Sequence, residues 1–228
     1  MIRVGTSGFS YDEWKGSFYP ENLPSSKYLS FYAEHLKTTE INNTFYRIPS
    51  QKMTARWVDQ VPHDFRFTLK LSQRITHKKR LRDVDEEMSW FINGIEPLGE
   101  LLGCILVQLP PWHRQELDTI GAFLENYASR FKLAFEFRHE SWFQPATYQL
   151  LQEKGAALVV AETSEDPGHR ERTAEFNYLR LRKGSYSDEE LQEWATWVRE
   201  SGKETFVYFK HERDAPELAR RFMTLCAL

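Results

Sequence analysis

Charged and amide side chains recur close to the ends of short, largely apolar segments along this chain. Seven such segments read TEIN, RFTLK, ILVQ, AFEFR, LVVAE, YLRLR and VYFK. Their polar residues are Glu40, Asn42, Lys70, Gln108, Glu136, Arg138, Glu162, Arg180 and Lys210. Successive side chains of a strand point to opposite faces, so we expect these residues on one face and apolar residues on the other. Buried charges need partners or a ligand, which predicts a binding or catalytic site at one end of a barrel.

The charges in this set predict an anionic ligand. Arginine binds carboxylate or phosphate through two parallel hydrogen bonds, and several converging cations can hold an anion that carboxylates alone would repel. We therefore predict an enzyme that binds a phosphorylated sugar or nucleotide-like substrate and catalyses hydrolysis or isomerisation by acid–base chemistry. Glu40 or Glu136 would be the general acid or base. The anion would be held by Lys70, Arg138 and Arg180, with Arg182 as a further cation.

The same charges could instead pair with one another across the barrel. Glu136 with Arg180, or Glu162 with Lys210, would then fill the interior without contacting a substrate. A purely structural network would not need so many charges at one end, which favours a ligand. A non-catalytic sensor of an anionic metabolite remains an alternative to an enzyme.

Histidine and aromatic residues in the loops extend the predicted site. His77 in RITHKKRL and His139 in EFRHESW follow strand ends and could transfer protons near neutral pH, although either could be an ordinary hydrogen-bonded loop residue. Tyr46 and Trp142 could form the walls of a pocket and stack on a sugar or base, or they could be hydrophobic plugs.

A divalent metal is conceivable here but is not favoured. Carboxylates and histidines could together bind one, yet no pair of them has the ligand spacing of a zinc protease or another diagnostic motif. We therefore predict no metal ligands and leave the cofactor open.

A basic run offers a second functional interpretation. The stretch from Arg66 to Arg82 contains seven Lys or Arg residues and no acid, so it could contact a nucleic-acid backbone. The acids at 83 and 85–87 offset it in sequence, which favours a solvated surface. The alternative function is a nucleic-acid-binding or DNA-processing barrel that resembles endonucleases in fold.

Helical patterns alternate with the strands and predict the architecture. They cover about 50–60, about 83–102 and the stripe from Leu117 to Phe131, and two more begin at Asp188 and Asp214. Alternating strands and helices indicate parallel pairing. Ile2 to Gly5 and the seven segments with polar ends make eight strands, and polar ends on one face favour a closed TIM-type (β/α)8 barrel over an open sheet. Only TSEDPGHRERTA separates LVVAE from FNYLRLR, so the helix between strands 6 and 7 should be reduced or missing.

Bulk properties limit the class of protein. The chain has 228 residues, which we interpret as one barrel domain over 1–228, and a formal net charge of −3, which excludes the basic signature of a dedicated nucleic-acid binder. Cys104 and Cys226 cannot form a disulfide framework and fit a reducing compartment. We see no signal peptide and no run long enough to cross a bilayer, so we predict a cytoplasmic protein without a membrane partner. The oligomeric state stays open.

Several stretches in fixed order resemble a known family. VGTSGFSYDEWKGSFYP, EINNTFYRIP, FRFTLKLSQRITHKKRL, LGCILVQLPP, EFRHESW and VYFKHERDAPELA are similar to the YecE-like family of bacterial and archaeal barrel proteins, a domain of unknown function. The resemblance runs from Gly5 to about Ala219 and implies a TIM-type barrel but no particular reaction. It suggests a site drawn from Glu40, Asn42, Thr44, Tyr46, Lys70, His77, Gln108, Glu136, Arg138, His139, Trp142 and Arg180.

Two positions depart from the family's usual pattern. Strand 7 in many relatives ends in Arg-x-His-Gly, whereas this chain has RLRKG with Arg182 and Lys183. Strand 8 often ends in Phe-Asn-Asn, whereas this chain has Phe209, Lys210 and His211. Both changes add cationic character to the predicted site and so strengthen the expectation of an anionic ligand.

Overall fold

Eight parallel strands form a closed barrel in the computed structural model, which describes residues 1–210 and 213–228. The strands are β1 (Ile2–Ser7), β2 (Thr38–Ile41), β3 (Arg66–Lys70), β4 (Leu102–Gln108), β5 (Leu133–Glu136), β6 (Ala157–Glu162), β7 (Phe176–Leu181) and β8 (Glu204–Phe209). Each strand pairs with the next, and β8 pairs with β1 to close the barrel. The predicted TIM-type fold is confirmed. His211 lies outside the described residues.

Seven α-helices follow the strands and cover the outside of the barrel. They are α1 (Tyr28–His35), α2 (Gln51–Val58), α3 (Asp85–Ile95), α4 (Leu117–Tyr127), α5 (Pro145–Glu153), α6 (Asp188–Glu200) and α7 (Ala215–Cys226), counted over the described residues. The pattern predicted over 83–102 ends as an α-helix at Ile95 and continues as 3₁₀ turns to Leu101. Ser187 rather than Asp188 caps α6, because its side chain and that of Glu190 form a reciprocal capping box.

The connection from β6 to β7 contains no helix, as predicted. Two arginines of the segment 163–175 instead contact α6: the Arg170 guanidinium lies 3.9 Å from the Trp194 ring centroid, and that of Arg172 lies 4.4 Å from the Trp197 ring centroid. These cation–π contacts fix a loop that has no helical hydrogen bonds of its own. None of the helices in the described parts of the chain has the length and apolar character needed to cross a membrane.

Side-chain alternation divides the barrel interior into layers. Toward the amino ends of the strands the interior is apolar, with Cys104, Phe176 and Phe206 among its residues. Above them stand the phenols of Tyr178 and Tyr208, both fully buried. The polar side chains of the predicted site lie at the next level, at the carboxyl ends of the strands. The strands therefore direct the polar residues to the end of the barrel where TIM-barrel active sites form.

Glu162 does not belong to this polar layer, which corrects the expectation from sequence. Strand β6 places Ala157, Val159 and Ala161 toward the barrel, so the alternate residue Glu162 points outward beneath α6. Its carboxylate lies 3.1 Å from the Lys183 Nζ and accepts hydrogen bonds from Tyr186 at 2.8 Å and the Trp194 Nε1 at 3.1 Å. Glu162 therefore attaches α6 and the segment after β7 to the barrel, and it does not pair with Lys210.

We expect Glu162→Gln to lower the free energy of unfolding by roughly 1–3 kcal/mol, because an amide cannot accept from both Tyr186 and Trp194 and pair with Lys183. Affinity for phosphorylated ligands should stay unchanged. Urea unfolding and ligand titration would measure both, with the exposed Glu165→Gln as the matched control. If the variant instead lost ligand affinity and kept its stability, Glu162 would be a ligand-binding residue.

Candidate active site at the carboxyl end of the barrel

A buried arginine between two carboxylates forms the centre of the polar layer. The guanidinium of Arg180, at the end of β7, donates from Nη2 to the Glu40 Oε1 at 2.8 Å and from Nη1 to the Glu136 Oε2. The side chains of Arg180, Glu40 and Glu136 are 4 %, 0 % and 1 % exposed. This ion triad links β2, β5 and β7 across the barrel. The pairing of Glu136 with Arg180, considered from sequence as an alternative to a functional role, is present.

Glu40 has a complete set of hydrogen-bond partners. Its Oε1 also accepts from the Ser7 hydroxyl at 2.7 Å and from the Asn42 Nδ2 at 2.9 Å. Its Oε2 accepts from the Tyr178 phenol at 2.6 Å. Such a carboxylate is held rigidly in its ionised form.

Glu136 is shared between the triad and the mouth of the barrel. Its Oε1 accepts from the Gln108 Nε2 at 2.9 Å and from the Arg182 Nη2 at 3.0 Å. The Gln108 Oε1 in turn accepts from the Lys70 Nζ at 2.7 Å. A continuous hydrogen-bonded chain therefore runs from Lys70 through Gln108 to Glu136 and Arg180.

The two carboxylates are ionised at neutral pH. Burial by itself raises the pKa of Glu136, but the charges of Arg180 and Arg182 outweigh it and lower the pKa to about 2. For Glu40, burial is again opposed by Arg180 and the hydrogen bonds, and its pKa is also lowered. The carboxylates raise the pKa of Arg180 despite its burial. Both carboxyl groups are therefore poor proton donors near pH 7, and of the expected role of general acid or base for Glu40 or Glu136 the base part stays a prediction.

Lys70 and His77 lie beside this layer around Phe45. The Lys70 Nζ is 4.1 Å from the Phe45 ring centroid, and the His77 ring meets the same ring edge-on at 4.9 Å. Burial, followed by the charge of Arg180, lowers the pKa of Lys70 to about 8. Burial and the charge of Lys70 lower the pKa of His77 to about 4, so its imidazole is neutral at pH 7. The His77 Nδ1 lies 2.8 Å from the Thr76 hydroxyl.

Three predicted residues are exposed at the mouth. Arg138 directly follows Glu136 and Phe137 after β5 and is close enough to lower the pKa of both Lys70 and His77. Lys210 follows β8, where its backbone N–H donates to the Leu181 carbonyl at 3.0 Å. The Tyr46 side chain is exposed next to Phe45. Within the described chain, the side chains of Arg138 and Lys210 form no ion pair.

Three other predicted residues make contacts that hold the structure around the mouth. Trp142 is fully buried, stacks on Phe137 at 4.3 Å and donates from Nε1 to the His113 carbonyl, so it cannot be a pocket wall. The buried Thr44 hydroxyl donates to the Lys70 carbonyl at 2.7 Å and so holds the end of β3. The His139 Nδ1 accepts from the Ser141 N–H at 3.1 Å and caps a 3₁₀ turn.

Two residues of the network were not predicted as part of the site from the sequence. Tyr178 lies two positions before Arg180 on the same face of β7, so the alternation that indicated Arg180 could also have indicated Tyr178. Ser7 ends β1 within the stretch VGTSGFSYDEWKGSFYP, but the resemblance of that stretch to the family did not single it out as a site residue. No group of three or more His, Cys, Asp or Glu side chains in the described chain is positioned to hold a metal ion.

We expect Glu136→Gln to lower the free energy of unfolding at pH 7 by roughly 3–5 kcal/mol, because Arg180 and Arg182 lose their shared counter-charge. The folded-state pKa of Glu136, about 2, lies below its ordinary value of 4.5. The stabilisation is therefore complete above pH 4.5 and is lost as the pH falls toward 2. Urea unfolding at pH 7 and between pH 5 and 2.5 should show a flatter pH dependence for the variant.

The exposed neighbour Glu140→Gln is the control and should keep both the stability and its pH dependence. If Glu136→Gln instead retained wild-type stability at every pH and lost only turnover, Glu136 would be an acid–base residue and not the counter-ion of two arginines.

Comparisons with known proteins agree with this architecture. The chain is 31% identical over 144 residues to UPF0759 protein YecE of Escherichia coli K12, which covers 63% of this chain and 50% of that protein. It is 29% identical over 157 residues to UPF0759 protein YunF of Bacillus subtilis, covering 65% and 55%. The chain thus spans about half the length of the curated relatives it matches.

Solved structures extend the match to the full chain. A DUF72 family protein from Thermotoga maritima superimposes with a TM-score of 0.85 at 31% identity and covers 100% of both chains. A DUF72 family protein from Enterococcus faecalis shares the fold, with a TM-score of 0.80 at 24% identity over 100% of this chain and 98% of the other. The sequence model described as "Protein of unknown function DUF72" matches residues 3–228. This chain therefore belongs to the DUF72 family.

Proposed function

We propose that this protein is an enzyme that binds a small anionic substrate, such as a phosphorylated sugar or a nucleotide, at the carboxyl end of its barrel. The observation that carries the proposal is an excess of positive charge there. Among the described residues, the strand ends and mouth bring together two carboxylates and five cations. The carboxylates are Glu40 and Glu136, and the cations are Lys70, Arg138, Arg180, Arg182 and Lys210.

Incomplete hydrogen bonding of the two arginines supports the same ligand class. The Nε–H groups of Arg180 and Arg182 are buried and have no acceptor among the described residues. A buried donor without an acceptor costs roughly 1–3 kcal/mol, which a ligand oxygen can recover. Arg138 and Lys210 are exposed and form no ion pair in the described structure, so they are available to a phosphate without breaking an existing contact.

The proposed chemistry is proton transfer on the bound anion, in an isomerisation or a hydrolysis. The low pKa of Glu136 makes it a weak base, and the same holds for Glu40. Both carboxylates instead orient Arg180, which would stabilise negative charge that develops on the substrate. Proton transfer then falls to groups at the mouth, Lys70 and the neutral imidazole of His77. As part of this proposal we place the protein in the cytoplasm, because Cys104 and Cys226 are buried free thiols.

We expect Arg138→Gln and Lys210→Gln each to weaken the binding of phosphorylated ligands roughly tenfold, because each removes a charge-assisted hydrogen bond. Both side chains are exposed, so stability should not change. Calorimetric titration with sugar phosphates and nucleoside monophosphates, each beside its unphosphorylated form, would measure the effect.

Lys52→Gln, an exposed lysine on α2, is the matched control. Equal affinity for phosphorylated and unphosphorylated ligands would contradict the proposal. Tight binding of a phosphorylated ligand without any product formation would instead identify a metabolite sensor.

Exposed aromatic residues under arginines favour a second candidate function, the binding of single-stranded nucleic acid. The Arg74 guanidinium lies 5.3 Å from the Trp90 ring centroid, and the Arg80 guanidinium lies 6.0 Å from that of Trp112. The two tryptophans are 43% and 59% exposed, which is unusual for so large an apolar residue. Bases stack on such rings while arginines contact the phosphates.

The basic run from Arg66 to Arg82 contributes only in part to this surface. Arg66 lies at the opposite end of β3, where its Nη1 donates to the carbonyls of His63 and Phe65. Lys79 pairs with Glu87 at 2.8 Å, and Arg82 pairs with Glu116 at 2.8 Å. The cations of the run that stay exposed without an ion pair, within the described residues, are Arg74, Lys78 and Arg80.

We expect the double change Trp90→Ala and Trp112→Ala to weaken binding of oligothymidylate at least tenfold, through the loss of stacking worth about 1–3 kcal/mol per base. Replacement of Arg74 or Arg80 by Gln should lower the slope of log affinity against log salt by about one for each residue. Fluorescence titration over a salt series would measure both. Affinity that is independent of ionic strength would exclude this function.

A further inference from the structure

Lys70 differs from every other partly buried lysine in the described chain. The other five each have a carboxylate within 4.0 Å, and they are Lys37, Lys79, Lys154, Lys183 and Lys203. Lys70 has none. Its Nζ makes one hydrogen bond, to the neutral Gln108 Oε1, and otherwise lies against the face of Phe45. The amine is therefore placed at the mouth without the counter-charge that would fix it as an ammonium ion.

The surroundings of this amine are well defined. The charged or titratable groups that act on it are Glu40 on β2, Glu136 on β5, Arg138 after β5, Arg180 on β7 and His77 in the loop after β3. Burial and the nearby cations lower the pKa of Lys70, and the two carboxylates raise it. Because arginines neutralise Glu40 and Glu136, the carboxylates offset this lowering only in part. With a pKa of about 8, roughly a tenth of the Lys70 side chains carry a free amine at pH 7, far more than for an ordinary lysine.

The end of β3 is also held in place. The Thr44 hydroxyl donates to the Lys70 carbonyl at 2.7 Å, and the Gln108 amide fixes the Nζ from the neighbouring strand. Gln108 is itself oriented by its bond to Glu136. Such a supported amine is pre-organised for attack on a bound electrophile.

We propose that Lys70 is a nucleophile that forms a Schiff base with the carbonyl group of an anionic aldehyde or ketone. This inference rests on the proposed function, because the anion site is what would bring the carbonyl to the amine. It narrows the substrate class to phosphorylated or otherwise anionic carbonyl compounds. It also assigns chemistry to a lysine that the sequence indicated only as a contact to the anion.

The step is balanced without a cofactor or an oxidant. The free amine of Lys70 attacks the carbonyl carbon, the carbonyl oxygen takes up a proton and the nitrogen releases one, which gives a neutral carbinolamine. Protonation of that hydroxyl and loss of one water molecule give a protonated imine. The positive imine then acts as the electron sink for removal of a proton, or cleavage of a bond, at the adjacent carbon. Hydrolysis by water releases the product and restores the amine.

Pyridoxal 5′-phosphate is a suitable probe because it carries both an aldehyde and a phosphate. With cyanoborohydride present, which reduces the imine and spares the aldehyde, we expect one stable adduct per chain, located at Lys70 by peptide mass spectrometry. Labelling of Lys70 should be at least tenfold faster than that of Lys52 at pH 7.5, and its rate should rise with a midpoint near pH 8. Lys70→Arg, which keeps the charge, and Lys70→Met should both abolish the adduct. Lys52→Met should leave it unchanged.

Unphosphorylated pyridoxal separates this inference from the proposed function. Because pyridoxal also forms an internal hemiacetal, each rate is compared with that of Lys52 for the same probe. A Lys70-to-Lys52 ratio at least tenfold lower with pyridoxal than with the phosphate supports both proposals. A ratio that is high and equal for the two probes supports a reactive Lys70 amine and contradicts the anion site. If Lys70 is labelled no faster than surface lysines, the proposal that it forms a Schiff base is wrong. The ligand titrations of Arg138→Gln then test the proposed anion site independently. Circular dichroism of the Lys70 variants confirms that each is folded.

Discussion

The burial of Arg180 between Glu40 and Glu136 is the interaction on which the polar layer depends. A guanidinium in a closed barrel has no access to bulk water, so its charge is tolerated only if carboxylates or other acceptors lie against it. Glu40 and Glu136 supply these acceptors, and each carboxylate in turn needs further donors. Glu40 accepts further hydrogen bonds from Ser7, Asn42 and Tyr178. Glu136 accepts further hydrogen bonds from Gln108 and Arg182. One buried cation thus determines the side chains at the ends of most strands around it.

This dependence separates the polar residues into two groups. Glu40, Glu136 and Arg180 pair with one another and together carry a net charge of −1, whereas Lys70, Arg138 and Lys210 have few or no partners and add positive charge at the edge of this triad. The two groups differ in their pKa shifts, and we infer their roles in proton transfer from that difference. Fixed carboxylates with low pKa values are poor proton donors, and an amine with no counter-ion can lose its proton near neutral pH. In our proposal Glu40 and Glu136 therefore hold Arg180 in place, and Lys70, which the sequence indicated only as a contact to the anion, is the reactive amine.

The sequence predicted the parts of the molecule that follow from periodicity. Alternation within strands indicated the closed parallel barrel and placed Glu40, Lys70, Gln108, Glu136 and Arg180 at one end of it, and the short β6–β7 connection predicted the missing helix. The prediction for Glu162 was wrong because the residues of β6 that point into the barrel are Ala157, Val159 and Ala161. In a strand of small and branched apolar residues, the sequence does not show which alternate residues point inward. Trp142 and His139 lie in loops, whose conformation depends on contacts with distant residues and not on a local period. The pairing of Arg180 with both carboxylates, and hence the lowering of their pKa values, depends on distances across the barrel that no local pattern encodes.

The Tyr208 phenol, one layer below the triad, lies 2.8 Å from the Thr38 hydroxyl and 2.7 Å from that of Thr68. Together with Arg180, this contact joins the last two strands of the chain to strands that are synthesised much earlier, since 140 positions separate Arg180 from Glu40. A chain that has not yet added β7 and β8 would leave Glu40 and Glu136 without their shared guanidinium. Partially closed barrels would therefore be electrostatically unfavourable, and closure should be cooperative, with the late strands completing the fold and the binding site in the same event.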